Sequence, residues 1–465
     1  MYRHETINST ADSASTIASA GPRSEAKPVI TPINPPDTHI WGVYCCIVVL
    51  SIIELYSASS FEIAKQGLYS PLFRHIGFLL IGFLIMLGIS NIHYRYFAAA
   101  TRPLTWISII SMVYVFFFGQ VINGAKRAIN LHFMSLQPAE FIKLSAVLIL
   151  ALILGSTQLK KDETIRNNGL KWATFYVILL SGLLFTQGLT NTLILMAICI
   201  SMMTLGSLEW RKFGIIMCIF MVGAGAGAAI KMMMSKNAAD QPHEVPVLVD
   251  SRGNVYSIPE AAGGTGGGSR MQDATWHNRL AQFFNSTPKY EQGINADNLQ
   301  EMRSYMAQAN GGLFGVFPGN SRETSRLPLA FSDYIYAIII EDLGFAIGGV
   351  GVMLLYLWLL ARAYMIARRC NQMYPAFLVT GCAVLITVQA LFHMAIVTGA
   401  FPVSGQPLPL FSKGGTSIIV TSIAFGVMLS VSRFSVRNKD ASSNVLKAEA
   451  EALPEHLRGE NPTQF

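Results

Sequence analysis

The sequence predicts an all-α polytopic membrane protein with about ten transmembrane helices, one large extracytoplasmic loop and cytoplasmic termini. Of its 465 residues, 52% are hydrophobic and only 13% are charged, whereas a soluble domain carries about 25% charged residues. Apolar runs of about 20 residues, the length that crosses a bilayer, recur along the chain. They fall near residues 40–58, 72–91, 103–121, 138–155, 171–187, 190–206, 212–232, 334–361, 374–399 and 408–432.

The basic residues favour one side of these spans. A net charge of +7 would suit an acidic partner, but Lys and Arg gather in every second connection rather than in one stripe, which argues against nucleic-acid binding. The positive-inside rule makes those connections and both termini cytoplasmic. The same rule makes residues 233–333 the large outer loop, in which 245–258 predicts two short strands.

The two ends of the chain are predicted to be tails. Residues 1–37 are polar, rich in Ser, Thr and Pro, and lack the apolar region of a signal peptide. Residues 436–465 have a similar character, which leaves 38–435 as one transmembrane domain. The six cysteines predict no disulfide framework, and we find no metal-ligand spacing and no Ser-His-Asp pattern.

The first polar island is the stretch "NGAKRAINLHFMSLQPAEFIK", residues 123–143. Lys126 and Arg127 fall in an outer connection, against the bias of the other connections. Glu140 and Lys143 are three residues apart at the start of a predicted helix, so they can pair on one face. The pair is either an interfacial ion pair with a snorkelling lysine or part of a polar site that also uses the two cations.

The second island is "RLPLAFSDYIYAIIIEDLGF", residues 326–345. Charges inside a span are costly and usually face a bundle interior or a wet cavity. Asp333 and Glu341 lie on one side of the predicted helix, with Asp333 at its outer mouth. Asp333 is therefore an N-cap or a catalytic group, two compatible roles. Glu341 is expected to make a structural polar contact.

The third island is "GAFPVSGQPLPLFSKGGTS", residues 399–417, between two apolar spans. Irregular backbone at membrane depth is tolerated where it is buried in protein or lines a cavity, so this segment predicts a re-entrant loop. All three islands then surround one outward-facing site. Cations for an anion and a carboxylate for proton transfer suit a lipid diphosphate substrate.

These three islands resemble the motifs of the shape, elongation, division and sporulation (SEDS) family of bacterial glycosyltransferases. The resemblance lies in residues 123–127, 137–143, 327–344 and 402–416, and it extends over about 40–435. The segment 318–344 is more similar to the division branch of the family than to its elongation branch. The chain departs from the family pattern at Ala128, Leu189, Asn191, Lys413 and Thr416.

The resemblance implies polymerisation of lipid II into peptidoglycan glycan strands at the outer face of the bacterial cytoplasmic membrane, at the division septum. Asp333 would be the general base on the acceptor hydroxyl while undecaprenyl diphosphate leaves, and Lys126 and Arg127 would contact the diphosphate. Further substrate contacts are expected from Gln137, Glu140, Lys143, Ser412, Lys413 and Thr416, and structural polar roles from Asn123 and Glu341.

The resemblance also implies partners. Besides lipid II and the undecaprenyl-diphosphate-linked glycan, these are a class B penicillin-binding transpeptidase and other membrane proteins of the division complex. A divalent cation, Mg²⁺ or Mn²⁺, would suit the leaving diphosphate, and no organic cofactor is expected.

Three alternatives use the same residues. A lipid II flippase would need polar groups that reach both membrane faces. An elongation-type polymerase would share the chemistry and differ in its place in the cell. A non-enzymatic division scaffold predicts that Asp333 is dispensable.

Overall fold

The computed structural model describes residues 35–58, 69–122, 125–131, 134–158, 163–205, 247–249, 255–257, 283, 298–327, 330–370 and 372–434. Helices dominate these residues, which confirms the predicted all-α class, and two small antiparallel sheets accompany them. The elements are α1 (Thr38–Ala58), α2 (Tyr69–Ser90), α3 (Tyr94–Phe118), β1 (Gln120–Ile122), β2 (Ala125–Leu131), β3 (Met134–Leu136), α4 (Pro138–Gln158), α5 (Glu163–Phe185), α6 (Leu189–Leu205), β4 (Val247–Val249), β5 (Val255–Ser257), α7 (Leu299–Gly311), α8 (Ile335–Gly344), a π-helix (Phe345–Gly351), α9 (Val352–Ala367), α10 (Met373–Val397) and α11 (Gly415–Phe434).

Seven helical segments among the described residues are long and apolar enough to cross a membrane, and two more, Gly169–Phe185 and Leu189–Leu205, are apolar but shorter. Together they lie at nine of the ten predicted positions. The tenth position, 212–232, lies outside the described residues, as do most of both predicted tails and much of the predicted 233–333 loop. Strands β4 and β5 pair antiparallel, which confirms the two strands predicted there.

The centre of the bundle is formed by α4, α10 and α11, in which about four fifths of the residues are buried (83%, 78% and 83%). By contrast, the span of α2 is only 22% buried, as expected of a peripheral helix that faces lipid. Small residues let the central helices approach closely. A Cβ added at Gly155 of α4 would lie 2.8 Å from the Cα of Tyr374, so the backbones of α4 and α10 are nearly in contact.

The predicted span 334–361 is present, within Ile335–Ala367, but it is not a single regular helix, because the backbone turns at Gly344. Its φ of +78° and ψ of 168° end α8 before the π-helix begins. The segment after α7 replaces the lost helical hydrogen bonds: Val316 N–H donates to the Glu341 carbonyl (2.9 Å), and Phe345 N–H donates to the Gly312 carbonyl (2.9 Å). Hydropathy does not register this turn, since the residues on both sides of it are apolar.

The start of α1 is fixed to two other helices. Arg362 of α9 donates to Asp37 through Nη2 (2.7 Å) and Nε (2.9 Å) to Oδ2, and Asp37 N–H donates to Ser432 Oγ of α11 (3.2 Å). Burial alone would raise the pKa of Asp37. The Arg362 hydrogen bond and charge, together with the N–H groups of Ile40 and His39, outweigh burial and lower that pKa below its usual value of 3.8.

We predict that Arg362→Met destabilises the protein by about 1.5–3 kcal/mol, the usual range for a charge-assisted hydrogen-bonded pair. A lowered folded-state pKa means that Asp37 contributes stability above pH 4 and that this contribution is lost as the pH falls below its folded-state pKa. Thermal unfolding in detergent should therefore give a constant difference in Tm between pH 5 and 8, narrowing below about pH 4. Arg369→Met, an exposed change just beyond the same helix, should leave Tm almost unchanged. If the Tm difference between wild type and Arg362→Met stayed the same down to pH 3, the assigned role of Asp37 would be contradicted.

Candidate active site

A polar cavity lies where the first turns of α4 and α6 meet the segments that precede α8 and α11. Its volume is about 180 Å³, room for about six water molecules. It is enclosed by Arg127, Gln137, Ala139, Glu140, Gln187, Asn191, Ser332, Asp333, Gly405, Gln406 and Pro407. The structure thus brings together parts of all three islands of the sequence.

A larger hollow of about 310 Å³ lies near the opposite end of the bundle, beside the end of α11. It is bounded by Asn91, Ile92, His93, Tyr96 and Phe434. These residues include no carboxylate and no Lys or Arg. The smaller cavity is therefore the better candidate for chemistry, because it combines acids, a guanidinium and amides.

Asp333 lies on the cavity wall, two residues before α8 begins. Ser332 Oγ donates to its Oδ1 (2.8 Å). The N-cap position of α8 is Tyr334, which makes no side-chain capping hydrogen bond, so Asp333 does not occupy the cap position. Gly405 lets the loop backbone approach the acid, since a Cβ there would lie 2.9 Å from Asp333 Oδ2. The carboxylate is therefore held against a wall of the cavity.

Arg127 reaches the cavity from a small sheet within the connection between α3 and α4. β2 pairs antiparallel with β1 and with β3, so the first island folds back on itself before α4. Lys126 precedes Arg127 on β2 and pairs with Val121, but its side chain lies outside the described part of the structure, as does all of Asn123. Gly188, with φ of +150°, lies in the turn beside the guanidinium. A Cβ added at this position would lie 3.7 Å from Arg127 Nη2.

Glu140 and Lys143 form a buried ion pair beneath the cavity. Lys143 Nζ lies 2.7 Å from Glu140 Oε1, with side-chain exposures of 0% and 5%. Gln389 of α10 donates to Glu140 Oε2 (3.1 Å). The alternative of a snorkelling lysine at the interface is wrong, because Lys143 is fully enclosed. Glu140 borders the cavity, and Lys143 neutralises it from below.

The segment before α11 is irregular, as predicted for 399–417, and its Ser and Thr hydroxyls bind backbone. Ser412 Oγ donates to the Ser332 carbonyl (2.7 Å) and accepts from Leu408 N–H (2.8 Å). Thr416 Oγ1 donates to the Ser135 carbonyl (2.9 Å) and accepts from Gln137 N–H (3.2 Å). These hydroxyls join the third island to the other two.

Lys413 lies over an aromatic ring. Its Nζ is 4.6 Å from the centroid of Phe331, and its N–H donates to the Phe331 carbonyl (3.1 Å). Ser412, Lys413 and Thr416 are not among the residues that enclose the cavity. They fix the loop whose residues Gly405, Gln406 and Pro407 border the cavity. Direct contacts between Ser412, Lys413 or Thr416 and a substrate stay a prediction.

Glu341 lies outside the cavity. It accepts hydrogen bonds from Asn310 Nδ2 (3.2 Å), from Arg322 N–H (3.0 Å) and from Ser321 Oγ. These contacts fix the segment between α7 and α8, which leads to Asp333. The neighbouring Asp342 is fully buried and lies near Ser57 and Glu54 of α1.

Sequence reasoning missed four amides: Gln187, Asn191 and Gln406 on the cavity wall, and Gln389 beneath it. Neutral amides leave no mark in a charge or hydropathy pattern. The one signal was the departure from the family pattern at 189–191, in the turn that the structure places at the cavity. That departure alone does not show which side chain faces inward.

The cell cycle protein family model FtsW/RodA/SpoVE matches residues 37–254 and 271–437. A protein of Trichlorobacter lovleyi named "Probable peptidoglycan glycosyltransferase FtsW" is 30% identical over 390 residues, which cover 82% of this chain and 89% of that protein. The "Stage V sporulation protein E" of Bacillus subtilis is 28% identical over 412 residues, 86% of this chain and 98% of that one. The chain belongs to the FtsW/RodA/SpoVE family, the SEDS family that its motifs predicted.

Solved structures share the fold. A chain from "Structural coordination of polymerization and crosslinking by a peptidoglycan synthase complex" aligns with a TM-score of 0.58 at 22% identity, covering 86% of this chain and 98% of that chain. The crystal structure of the rod shape determining protein RodA of Thermus thermophilus aligns with a TM-score of 0.56 at 22% identity, covering 87% and 98%. The protein is therefore an integral membrane protein of the SEDS fold.

We predict that Lys143→Met destabilises the protein by about 3–5 kcal/mol, because it leaves the buried Glu140 carboxylate without its cation. The double variant Glu140→Gln, Lys143→Met should recover most of that loss, since it removes both charges. Unfolding by heat or denaturant in detergent measures both effects, with the exposed change Lys171→Met as the control. A double variant no more stable than Lys143→Met would contradict a charge-based role for the pair.

Proposed function

We propose that the protein is a peptidoglycan glycosyltransferase that polymerises lipid II into glycan strands. One observation carries the proposal: Asp333 and Arg127 border the same small cavity, as a base and an anion-binding group for a diphosphate substrate require. Family membership supports it, because a relative that spans most of the chain is named a probable peptidoglycan glycosyltransferase.

Asp333 is the general base in this proposal. Its carboxylate accepts the proton of the acceptor sugar hydroxyl as that oxygen attacks the anomeric carbon of the growing strand. A new glycosidic C–O bond forms, and the bond from the anomeric carbon to undecaprenyl diphosphate breaks. The Ser332 hydroxyl, which donates to Oδ1, orients the carboxylate, and general-base catalysis of this kind contributes about 10²–10⁴-fold.

Arg127 stabilises the leaving diphosphate. Its planar guanidinium can donate two parallel hydrogen bonds to phosphate oxygens, a geometry that Lys does not offer. Lys126 adds a second cation on the same strand. Glu140, Lys143 and Gln137 support the site from the start of α4, while Ser412, Lys413 and Thr416 hold the loop that carries Gly405 and Gln406.

A divalent cation fits this site as a companion of the substrate. No group of three or more His, Cys, Asp or Glu side chains that could hold a metal occurs in the described part of the chain, but Mg²⁺ usually binds through one or two carboxylates plus substrate phosphates. Asp333 and Glu140 are the carboxylates on the cavity wall. A bound Mg²⁺ or Mn²⁺ would neutralise charge on the leaving diphosphate. Chelation with EDTA followed by addition of Mg²⁺ tests whether polymerisation needs it.

We also propose that the protein works at the division septum, with its cavity on the outer face of the cytoplasmic membrane, beside a class B penicillin-binding transpeptidase and other division proteins. The distribution of Lys and Arg supports the orientation. The relative named FtsW supports the division role, and the structural neighbour from a peptidoglycan synthase complex supports the partner.

We predict that Asp333→Asn lowers the initial rate of lipid II polymerisation at least about 100-fold, because the amide cannot accept the proton. Purified protein with its transpeptidase, labelled lipid II and gel analysis of glycan products measure the rate. Glu301→Gln, the same chemical change on α7 outside the cavity, should retain activity. Full polymer synthesis by Asp333→Asn would remove it from the mechanism, and absence of polymer from the wild type beside an active control enzyme would favour a flippase or scaffold.

We predict that Arg127→Met lowers the turnover rate by about 10²-fold, as expected when one donor to a developing anion is lost. Arg127→Lys should recover only part of the rate, since Lys keeps the charge but not the paired donors. Steady-state assays with the same substrate measure both. Arg102→Met, at an exposed position on α3, is the control for loss of a cation. Equal rates for Arg127→Met and wild type would exclude Arg127 from the diphosphate site.

A further inference from the structure

The cavity wall is rich in neutral amides. Gln137, Gln187, Asn191 and Gln406 border it beside two carboxylates and one guanidinium. A carboxamide carries no net charge, so it adds little to the binding of a diphosphate. It does present a donor and an acceptor in one plane, which suits a ligand with many hydroxyl and amide groups.

Two of these amides have an oxygen that finds no hydrogen-bond donor among the residues described. They are Oδ1 of Asn191 and Oε1 of Gln406, both buried. Gln406 as a whole is only 4% exposed. Buried polar atoms in proteins are normally hydrogen-bonded, so two such acceptors on one cavity wall are available to water or to a ligand that brings O–H or N–H donors.

The backbone segments that carry the two side chains are fixed by hydrogen bonds. His393 Nδ1–H donates to the Gln406 carbonyl (2.6 Å), and Gln406 N–H donates to the Ser404 carbonyl (2.8 Å). Asn191 lies in the first turn of α6. The start of this helix is fixed by a hydrogen bond that Thr192 N–H donates to the Gly188 carbonyl (3.4 Å). Both amides thus stand on fixed elements, as a selective site requires.

Gln406 is also close to the proposed base. It follows Gly405, whose missing side chain leaves room for Asp333 Oδ2. A sugar hydroxyl at Asp333 would therefore bring the neighbouring groups of its own ring to the amides. The volume of about 180 Å³ admits part of a ligand only, since pockets that hold a complete drug-sized ligand measure about 300–1,000 Å³.

We propose that Asn191 and Gln406 are specificity-determining residues that bind the acetamido and hydroxyl groups of the N-acetylated acceptor sugar. The acetamido N–H donates to one amide oxygen, and the acetamido carbonyl accepts from an amide N–H, so that two planar groups pair. The second amide binds a ring hydroxyl. This inference rests on the proposed function, and it assigns to that function the recognition of the sugar.

The test measures binding, so that its outcome does not depend on turnover. Asp333→Asn protein in nanodiscs is titrated with fluorescent lipid II and with an analogue that carries glucose in place of N-acetylglucosamine. Both ligands have the same charge, and they differ in the acetamido group alone. We expect lipid II to bind about tenfold more tightly, the factor for one net hydrogen bond.

Asn191→Ala and Gln406→Ala, each added to Asp333→Asn, should weaken lipid II binding, and at least one of them should remove the preference over the glucose analogue. Asn191→Asp keeps the shape and the acceptor oxygen, so it should retain more of the preference than Asn191→Ala does. Melting temperatures check that each variant is folded.

Gln308→Ala is the matched control. Its amide donates to the Val397 carbonyl (2.9 Å) and to the Ser304 carbonyl (3.2 Å) outside the cavity, so its loss should lower stability and leave the preference intact. The inference would be overturned if both cavity variants still bound lipid II more tightly than the glucose analogue by the wild-type factor. It would also be overturned if Gln308→Ala lost this preference as much as the cavity variants do. If Asp333→Asn still polymerises lipid II, the proposed base is wrong, but the comparison with the glucose analogue still decides the role of the amides.

Discussion

The site depends on a buried charge pair in the middle of an apolar bundle. Glu140 and Lys143 lie on α4, one of the two most enclosed helices, and neither charge could remain there without the other. Gln389 adds a hydrogen bond from α10 to the same carboxylate, so the pair also ties together two of the three central helices. The side of the cavity that Glu140 forms is therefore anchored in the most buried part of the bundle.

The other sides of the cavity are built differently from the side that Glu140 forms. They come from strand β2, from helix starts and from irregular segments, and in the last two of these many backbone groups lack partners of the helical kind. Ser412 and Thr416 supply those partners across the three islands. The buried charge pair and these hydroxyl contacts together hold Asp333, Arg127 and several amides around one small cavity. The described part of the chain contains no separate catalytic domain.

Much of this could be predicted from the sequence, because bilayer thickness and the cost of burying charge leave strong patterns. The apolar runs predict the helices, and the polar islands predict Asp333, Arg127 and Glu140 as parts of one site. The sheet that carries Arg127 was missed, since three short strands in a polar connection give no clear period. Four amides were missed because their neutral side chains leave no charge or hydropathy pattern, and only the fold decides which of them face a cavity.

The turn at Gly344 separates two helical segments, α8 and the π-helix with α9, that a hydropathy plot shows as one apolar run. The segment bearing Asp333 is fastened through Glu341 to the loop that follows α7, whereas α9 is fastened at its far end to Asp37. The segments before and after the turn therefore have different anchoring contacts. Leu354 and Trp358 on α9 are exposed and make none of the contacts around Asp333, so this face of α9 can vary in sequence or pack against a neighbouring helix without altering those contacts.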